Sequence, residues 1–215
     1  MSKPSVTYKI LEGIVYPLAR ILYNPKIYFE DDYTTKACFA EPSILVCNHI
    51  AHVDGTVISY VFHPQPLHHL AAKDRFEQNK FMHWYLSNSG CIPIDRKTIS
   101  TDWIHNSIKT LKVDKESVAI YPEGRHGQNH EILPFHSGVT MIAAMAQVPI
   151  VLLYNNGPYK LTKRCEMMIS KPFRLEPPTE GLTAEYVQQQ TDLLHDKMLE
   201  LQKKFNKKKA QLKTH

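Results

Sequence analysis

Three short apolar runs, SILVC (43–47), SVAIY (117–121) and VPIVLLY (148–154), constrain this chain most. Unbroken apolarity over so few residues is expected of strands covered on both faces. The first runs into the polar turn NHIAHVD and the second into PEG. Between and around them lie helical patterns: HVDGTVISYVF (52–62), KFMHWYLSNSG (80–90) closed by Gly90, TDWIHNSIKTLKVD (101–114) capped by Thr101 or Asp102, and GVTMIAAMAQ (138–147). KIYFE (26–30), CFAEPSILVCNH (38–49), LHHLAAK (67–73), CIPI (91–94) and CEMMISKPF (165–173) read as strands. Alternation of this kind implies an α/β fold with a mixed, mostly parallel sheet flanked by helices. Ligands of such folds sit at the C-terminal ends of strands, where NHIAHVD and PEG begin.

With 215 residues, 43% hydrophobic and 22% charged, the chain suits one such domain with appendages. We divide it into an N-terminal amphipathic element (1–29), an α/β core (30–182) and a C-terminal amphipathic helix with a basic tail (183–215). The first element, YKILEGIVYPLARILY (8–23), carries Ile10, Leu11, Ile14, Val15, Leu18, Ile21 and Leu22 on one helical face, with Pro17 expected to kink it. Lys9, Glu12 and Arg20 make it too polar for a membrane span of ~20 apolar residues. That face must therefore pack on the core or lie in a membrane interface.

The net charge of +5 favours anionic partners. No zinc-finger spacing, RNP motif or basic zipper points to nucleic acid. The lysine-rich stretch QKKFNKKKAQLK (202–213) is either a solvated helix end or a contact for anionic lipid. Cys38, Cys47, Cys91 and Cys165 lack CxxC spacing, and no secretory signal is visible. Reduced thiols facing the cytosol are expected.

His49 and Asp54 stand five positions apart, ~140° around a regular helix, so they meet only if His49 lies in the turn before the helix. Asp54 would then bond one ring nitrogen and raise the basicity of the other, as in a general-base pair. Asn48 would hold the turn. A metal-dependent hydrolase using His49, His52 and Asp54 is an alternative, although these histidines are three apart and Gly55 follows the aspartate. Cys47 offers a thiol, though a cysteine ending an apolar strand is more often a small hydrophobe. In the second turn Pro122 fixes the chain, Glu123 offers an acceptor, Gly124 permits close backbone approach, and Arg125 offers a fork for phosphate. GCIPIDRK (90–97) similarly follows a strand with Arg96.

In chain order these blocks read N-H-x4-D (48–54), A-A-K ending at Lys73, G-x-I-P-I-D-R (90–96), Y-P-E-G (121–124), P-F-H-S-G (134–138) and V-P-I-V around Pro149. The series resembles the glycerolipid acyltransferases, of which lysophosphatidic acid acyltransferase is the best-known type, over residues 44–153. The resemblance implies transfer of a fatty acyl group from acyl-CoA or acyl carrier protein to the hydroxyl of a lysophospholipid. His49 and Asp54 would be catalytic, and Arg96, Glu123, Gly124 and Arg125 would serve the acceptor. It implies no metal or bound cofactor, and a peripheral protein on the cytoplasmic face of a membrane. The chain departs from the family pattern in three places. Ala51 replaces a small hydroxyl residue, His52 an aromatic, and Arg125-His126-Gly127 the usual Thr-Arg-Ser. The arginine is thus shifted by one place or replaced by His126. A non-catalytic lipid binder is a further alternative, although it would have no need of a general base.

Overall fold

A computed structural model describes residues 6–30, 40–95, 100–127, 131–160, 164–179 and 181–212. Among these, α1 (Val6–Tyr23) precedes β1 (Lys26–Phe29), β2 (Ile44–Cys47) and α2 (Asp54–Phe62). Next come β3 (Leu67–Ala72), α3 (Lys73–Glu77), α4 (Lys80–Asn88), β4 (Ile92–Ile94) and α5 (Asp102–Lys109). Then follow β5 (Ser117–Ile120), α6 (Gly138–Ala146), β6 (Ile150–Gly157), β7 (Glu166–Ile169) and α7 (Ala184–Gln211). The sheet order is β1-β7-β6-β2-β5-β3-β4. Strands β2 to β6 run parallel; β7 pairs antiparallel with β6, and β1 follows β7. This is the mixed, mostly parallel α/β sheet expected from the apolar runs.

Period-two alternation divides each central strand between two cores. Ile44 and Val46 of β2, Val118 and Ile120 of β5, and Ile150 and Leu152 of β6 face one side, where Leu194, Met198, Leu201 and Phe205 of α7 cover them. Leu45, Cys47, Ala119, Val151 and Leu153 face the other, against Val57, Ile58 and Phe62 of α2. Replacing a buried leucine such as Leu45 by alanine in such a core costs roughly 2–5 kcal/mol.

Several boundaries differ from the sequence expectation. Helix α2 starts at Asp54 rather than His52, because the Asp54 carboxylate turns back onto the amides of Ile50 and Ala51 and holds the chain in a turn. Lys73 opens the short helix α3 instead of ending β3. Past Lys109 the expected long helix widens into a π-helical turn, Thr110–Asp114, closed by Lys115 in the left-handed conformation. Thr101 makes no side-chain cap; the Ser100 hydroxyl accepts from the Asp102 amide instead. Pro149 lies one residue before β6, where its carbonyl accepts from the Ile44 amide. Helix α1 continues through Pro17.

Candidate active site

Because β2, β3, β5 and β6 are parallel, their C-terminal ends reach the same edge of the sheet, and the motif turns meet there. His49 lies just past β2, and its Nδ1 is 2.7 Å from Asp54 Oδ2. Asp54 is fully buried. Its Oδ2 also accepts from the amides of Ile50 (2.8 Å) and Ala51 (3.0 Å), and its Oδ1 from Asn155 Nδ2 (3.0 Å). Four donors and the positive end of α2 thus surround the buried carboxylate. With Asp54 accepting at Nδ1, the neutral form of the ring carries its lone pair on Nε2.

Asn155, on β6, did not stand out in the sequence. Its backbone N–H donates to Asn48 Oδ1 (2.6 Å), and its carbonyl accepts from Asn48 Nδ2 (2.9 Å). Asn48 thereby extends the β2–β6 pairing past the end of β2. Asn155 Nδ2 donates also to the Tyr159 hydroxyl (2.7 Å), and its Oδ1 accepts from the Gly157 amide.

The second turn braces the first. Pro122 is buried, and Glu123 is 3% exposed. Glu123 accepts from the His49 amide through Oε1 and from the Leu133 amide through Oε2, each at 3.1 Å. Burial pushes its carboxyl above the usual range, and those two hydrogen bonds oppose the shift. Gly124 adopts φ +67, a left-handed conformation that favours glycine. The Gly127 amide donates to the His49 carbonyl at 2.8 Å. A Cβ at Gly127 would come 2.4 Å from the Glu131 carbonyl oxygen, which accounts for glycine at this departure from the family pattern.

Tyr121 stacks on His49 with ring centroids 4.4 Å apart. Its hydroxyl reaches His69 Nδ1 (3.2 Å), and His69 Nε2 reaches the Ser59 hydroxyl (2.8 Å). Burial, reinforced by His68, pushes His69 down to about 4, so it is neutral near pH 7. A neutral ring donates from one of these nitrogens and accepts at the other, so both hydroxyls are satisfied in either tautomer. His126 packs edge-on against both His49 (4.1 Å) and His52 (4.4 Å). Its Nε2 is buried without a hydrogen-bond partner among the described residues. Burial and the two histidines lower its pKa. Of the departure Arg125-His126, it is therefore His126 that packs on His49, while Arg125 is exposed where it lines the cavity.

That cavity, about 990 Å³, has His49, His52, Tyr121 and His126 in its wall. It touches residues of both faces of the sheet: Leu70, Ile94, Trp103 and Val139 on one side, Ser59, Met82, Tyr85 and Leu86 on the other. Lys73, the first residue of α3, is exposed and paired with Asp95 at 3.3 Å, a contact of small worth at a surface. Arg96 lies outside the described residues. Cys47 is buried in the core, and burial raises its thiol well above the usual value, so it lacks the character of a nucleophile. Among the described residues, no three His, Cys, Asp or Glu side chains gather in an arrangement that could hold a metal ion.

Such a molecule is an α/β protein that sets an oriented imidazole in the wall of a large, mainly apolar cavity. Residues 26–154 match the family model described as Acyltransferase, and the chain belongs to that family. It is 26% identical to the 1-acyl-sn-glycerol-3-phosphate acyltransferase of Bacillus subtilis (strain 168), covering 93% of this chain and 98% of that one. It is 32% identical over 122 residues to the human 1-acyl-sn-glycerol-3-phosphate acyltransferase alpha, a match that covers 52% of this chain but only 42% of the human protein. In fold it is similar to the crystal structure of the 1-acyl-sn-glycerophosphate acyltransferase PlsC from Thermotoga maritima, with a TM-score of 0.62 and 17% identity over 91% of this chain and 79% of that one.

Proposed function

We propose that this enzyme is an O-acyltransferase that moves a fatty acyl group from acyl-CoA or acyl carrier protein to the free hydroxyl of a lysophospholipid such as 1-acylglycerol-3-phosphate. The observation that carries this reading is the buried Asp54 bonded to Nδ1 of His49, beside a mainly apolar cavity of about 990 Å³. The Bacillus relative, similar over nearly its whole length, bears the name of that reaction.

In the proposed step, His49 Nε2 takes the proton of the acceptor hydroxyl as its oxygen bonds to the thioester carbonyl carbon. The tetrahedral adduct collapses, the C–S bond breaks, and the imidazolium returns the proton to the departing thiolate. Asp54 holds the ring and stabilises its charged form. General-base assistance of this kind contributes roughly 10²–10⁴ in rate. The step calls for no metal and no bound cofactor. Arg125, exposed at the cavity, supplies a guanidinium for the acceptor's phosphate. Arg96 is assigned the same task from its motif alone. Glu123, its oxygens occupied by backbone amides, shapes the turn, and Gly124 lets the backbone approach the acceptor.

The substrate reading makes the enzyme a peripheral membrane protein on the cytoplasmic face. Ile10, Ile14, Leu18 and Ile21 of α1 are 52–77% exposed and support insertion into a lipid interface. No helix among the described residues is long and apolar enough to cross a membrane.

The test is a product analysis by mass spectrometry. Purified protein is given lysophosphatidic acid, other lysolipids or monoacylglycerol, with acyl-CoA or acyl carrier protein as donor. We expect acceptor-dependent phosphatidic acid, lost in a folded His49→Ala variant. Thioester cleavage that ignores the acceptor, or full turnover by His49→Ala, would defeat the proposal.

A further inference from the structure

Helix α4 carries a feature that the acyl-transfer chemistry does not use. None of its nine residues is fully buried, although Phe81, Met82, Trp84, Tyr85 and Leu86 make it largely apolar. Phe81 is 67% exposed and Trp84 44%. Their rings lie 6.1 Å apart, and Phe81 stacks on Tyr85 at 6.3 Å. Helices this short are marginal on their own and depend on burial of an apolar face. Here the Asn79 side chain caps the helix, accepting from the Met82 amide, and the Tyr85 hydroxyl meets Thr56 of α2 at 3.3 Å. Its outer aromatic face has no cover among the described residues.

The position of that face decides what covers it. Met82, Tyr85 and Leu86 line the cavity beside His49, and Val15 and Tyr16 of α1 line it as well. At ~100° per residue, Trp84 and Phe81 fall on the arc adjoining Tyr85, which leads to Met82 and Leu86. On α1, the exposed arc of Ile10, Ile14, Leu18 and Ile21 similarly adjoins Val15. Each helix therefore turns one apolar arc into the cavity and the neighbouring arc outward. A second copy of the chain seated on α4 would cover a helix that walls the cavity, whereas a lipid surface would supply it with substrate. Aromatic side chains, tryptophan above all, favour the headgroup level of a bilayer.

We infer that α4 is a second membrane-contacting element, docking Phe81 and Trp84 into the lipid interface so that the bilayer meets the cavity between α4 and α1. This rests on the reading of the acceptor as a membrane lipid. The experiment needs neither donor nor acceptor, so its outcome is separable from that of the acyl-transfer assay. Intrinsic fluorescence is recorded with vesicles of phosphatidylcholine and phosphatidylglycerol, with and without brominated acyl chains. Trp84 and Trp103 are the two tryptophans, so the emission missing from Trp84→Phe belongs to Trp84. We expect that emission to shift blue on vesicles and to be quenched by bromine. A Phe81→Ser/Trp84→Ser double variant should keep its melting temperature and lose several-fold in vesicle affinity. Trp84 emission that stays unquenched on vesicle-bound protein overturns the inference. So does a blue shift that follows protein concentration without vesicles, the mark of self-association, and so does a wild type that fails to sediment with vesicles.

Discussion

Asp54 shows at the level of single residues what a local motif can and cannot reveal. The spacing of His49 and Asp54 predicted their meeting on condition that His49 precede the helix, and the structure meets that condition. Both groups lie within one turn of chain, so sequence suffices to pair them. Asn155 and His69 reach the same centre from β6 and β3, and no local pattern marks them; Tyr121, just past β5, was visible only as the first residue of Y-P-E-G. Two outcomes follow at this scale. Arg125→Ala should weaken lysophosphatidic acid in KM by about tenfold or more while sparing the thioester and an uncharged monoacylglycerol, since a charge-assisted contact is lost. His126→Ala should instead lower kcat, because its ring packs on His49. Steady-state kinetics with the three substrates separates the two, and the reverse assignment would show that His126 has taken the arginine's role. The second outcome concerns pH. His69 is held near 4 against its usual 6.5, so the unfolded chain binds an extra proton between those values. Stability is then complete above about 6.5 and lost as pH falls towards 4, by roughly 3 kcal/mol for this group. Melting temperature against pH should accordingly flatten across that interval in His69→Gln.

Among the elements, α1 admits two readings from its sequence, and in the structure one of its arcs packs on the core while the other is exposed. Ala19 is buried, Val15, Tyr16, Leu22 and Tyr23 are half-buried, and Tyr16 meets Tyr60 and His63 of the α2 region edge-on. Ile10, Ile14, Leu18 and Ile21 are exposed; the side chain of Leu11 lies outside the described residues. An amphipathic pattern counts apolar positions but not the partner of each, so one broad face could not be separated into two arcs from sequence. The lysine-rich end of α7 was equally ambiguous, and there the fold uses much of the charge. Lys204 pairs with Glu30, Lys209 with Glu166, and Lys208 donates to the Phe29 carbonyl. These contacts tie α7 to the β1–β7 edge, which weakens the case for that tail as a lipid anchor. For α1 the expectation is sharp. Ile14→Asp with Leu18→Asp should leave the thermal melt nearly unchanged and release the protein from anionic vesicles. Ala19→Asp, placing a charge in the packed arc, should lower the melting temperature by many degrees. If the first pair unfolds the protein instead, the outer stripe is core and the membrane reading of α1 fails.

For the molecule as a whole, the order of strands does what no single motif can. Parallel strands deliver His49, Tyr121, Lys73 and Asn155 to one edge of the sheet, and the alternation of apolar runs was enough to foresee that edge. Strand order and the reversal of β7 were not foreseeable, because pairing is set by tertiary packing rather than by the composition of a strand. Asn155 is the residue through which this order reaches the chemistry. Among the described residues its amide is the donor to Asp54 Oδ1, while its backbone pairs with Asn48 across the β2–β6 junction. In Asn155→Ala the buried carboxylate loses one of its four donors, at a cost of about 1–3 kcal/mol. The melting temperature should fall. A carboxylate with one donor fewer is also more basic and holds the His49 proton more tightly. The acid limb of the kcat/KM profile should therefore move to higher pH, with kcat reduced and the KM for the thioester little changed. Asn48→Ala breaks the backbone pairing but leaves the amide on Asp54, so it should destabilise the fold with a smaller displacement of that limb. Should both variants lose stability while their pH–rate profiles stay superimposed on the wild type, Asn155 is a structural tie alone and His49 is positioned without it.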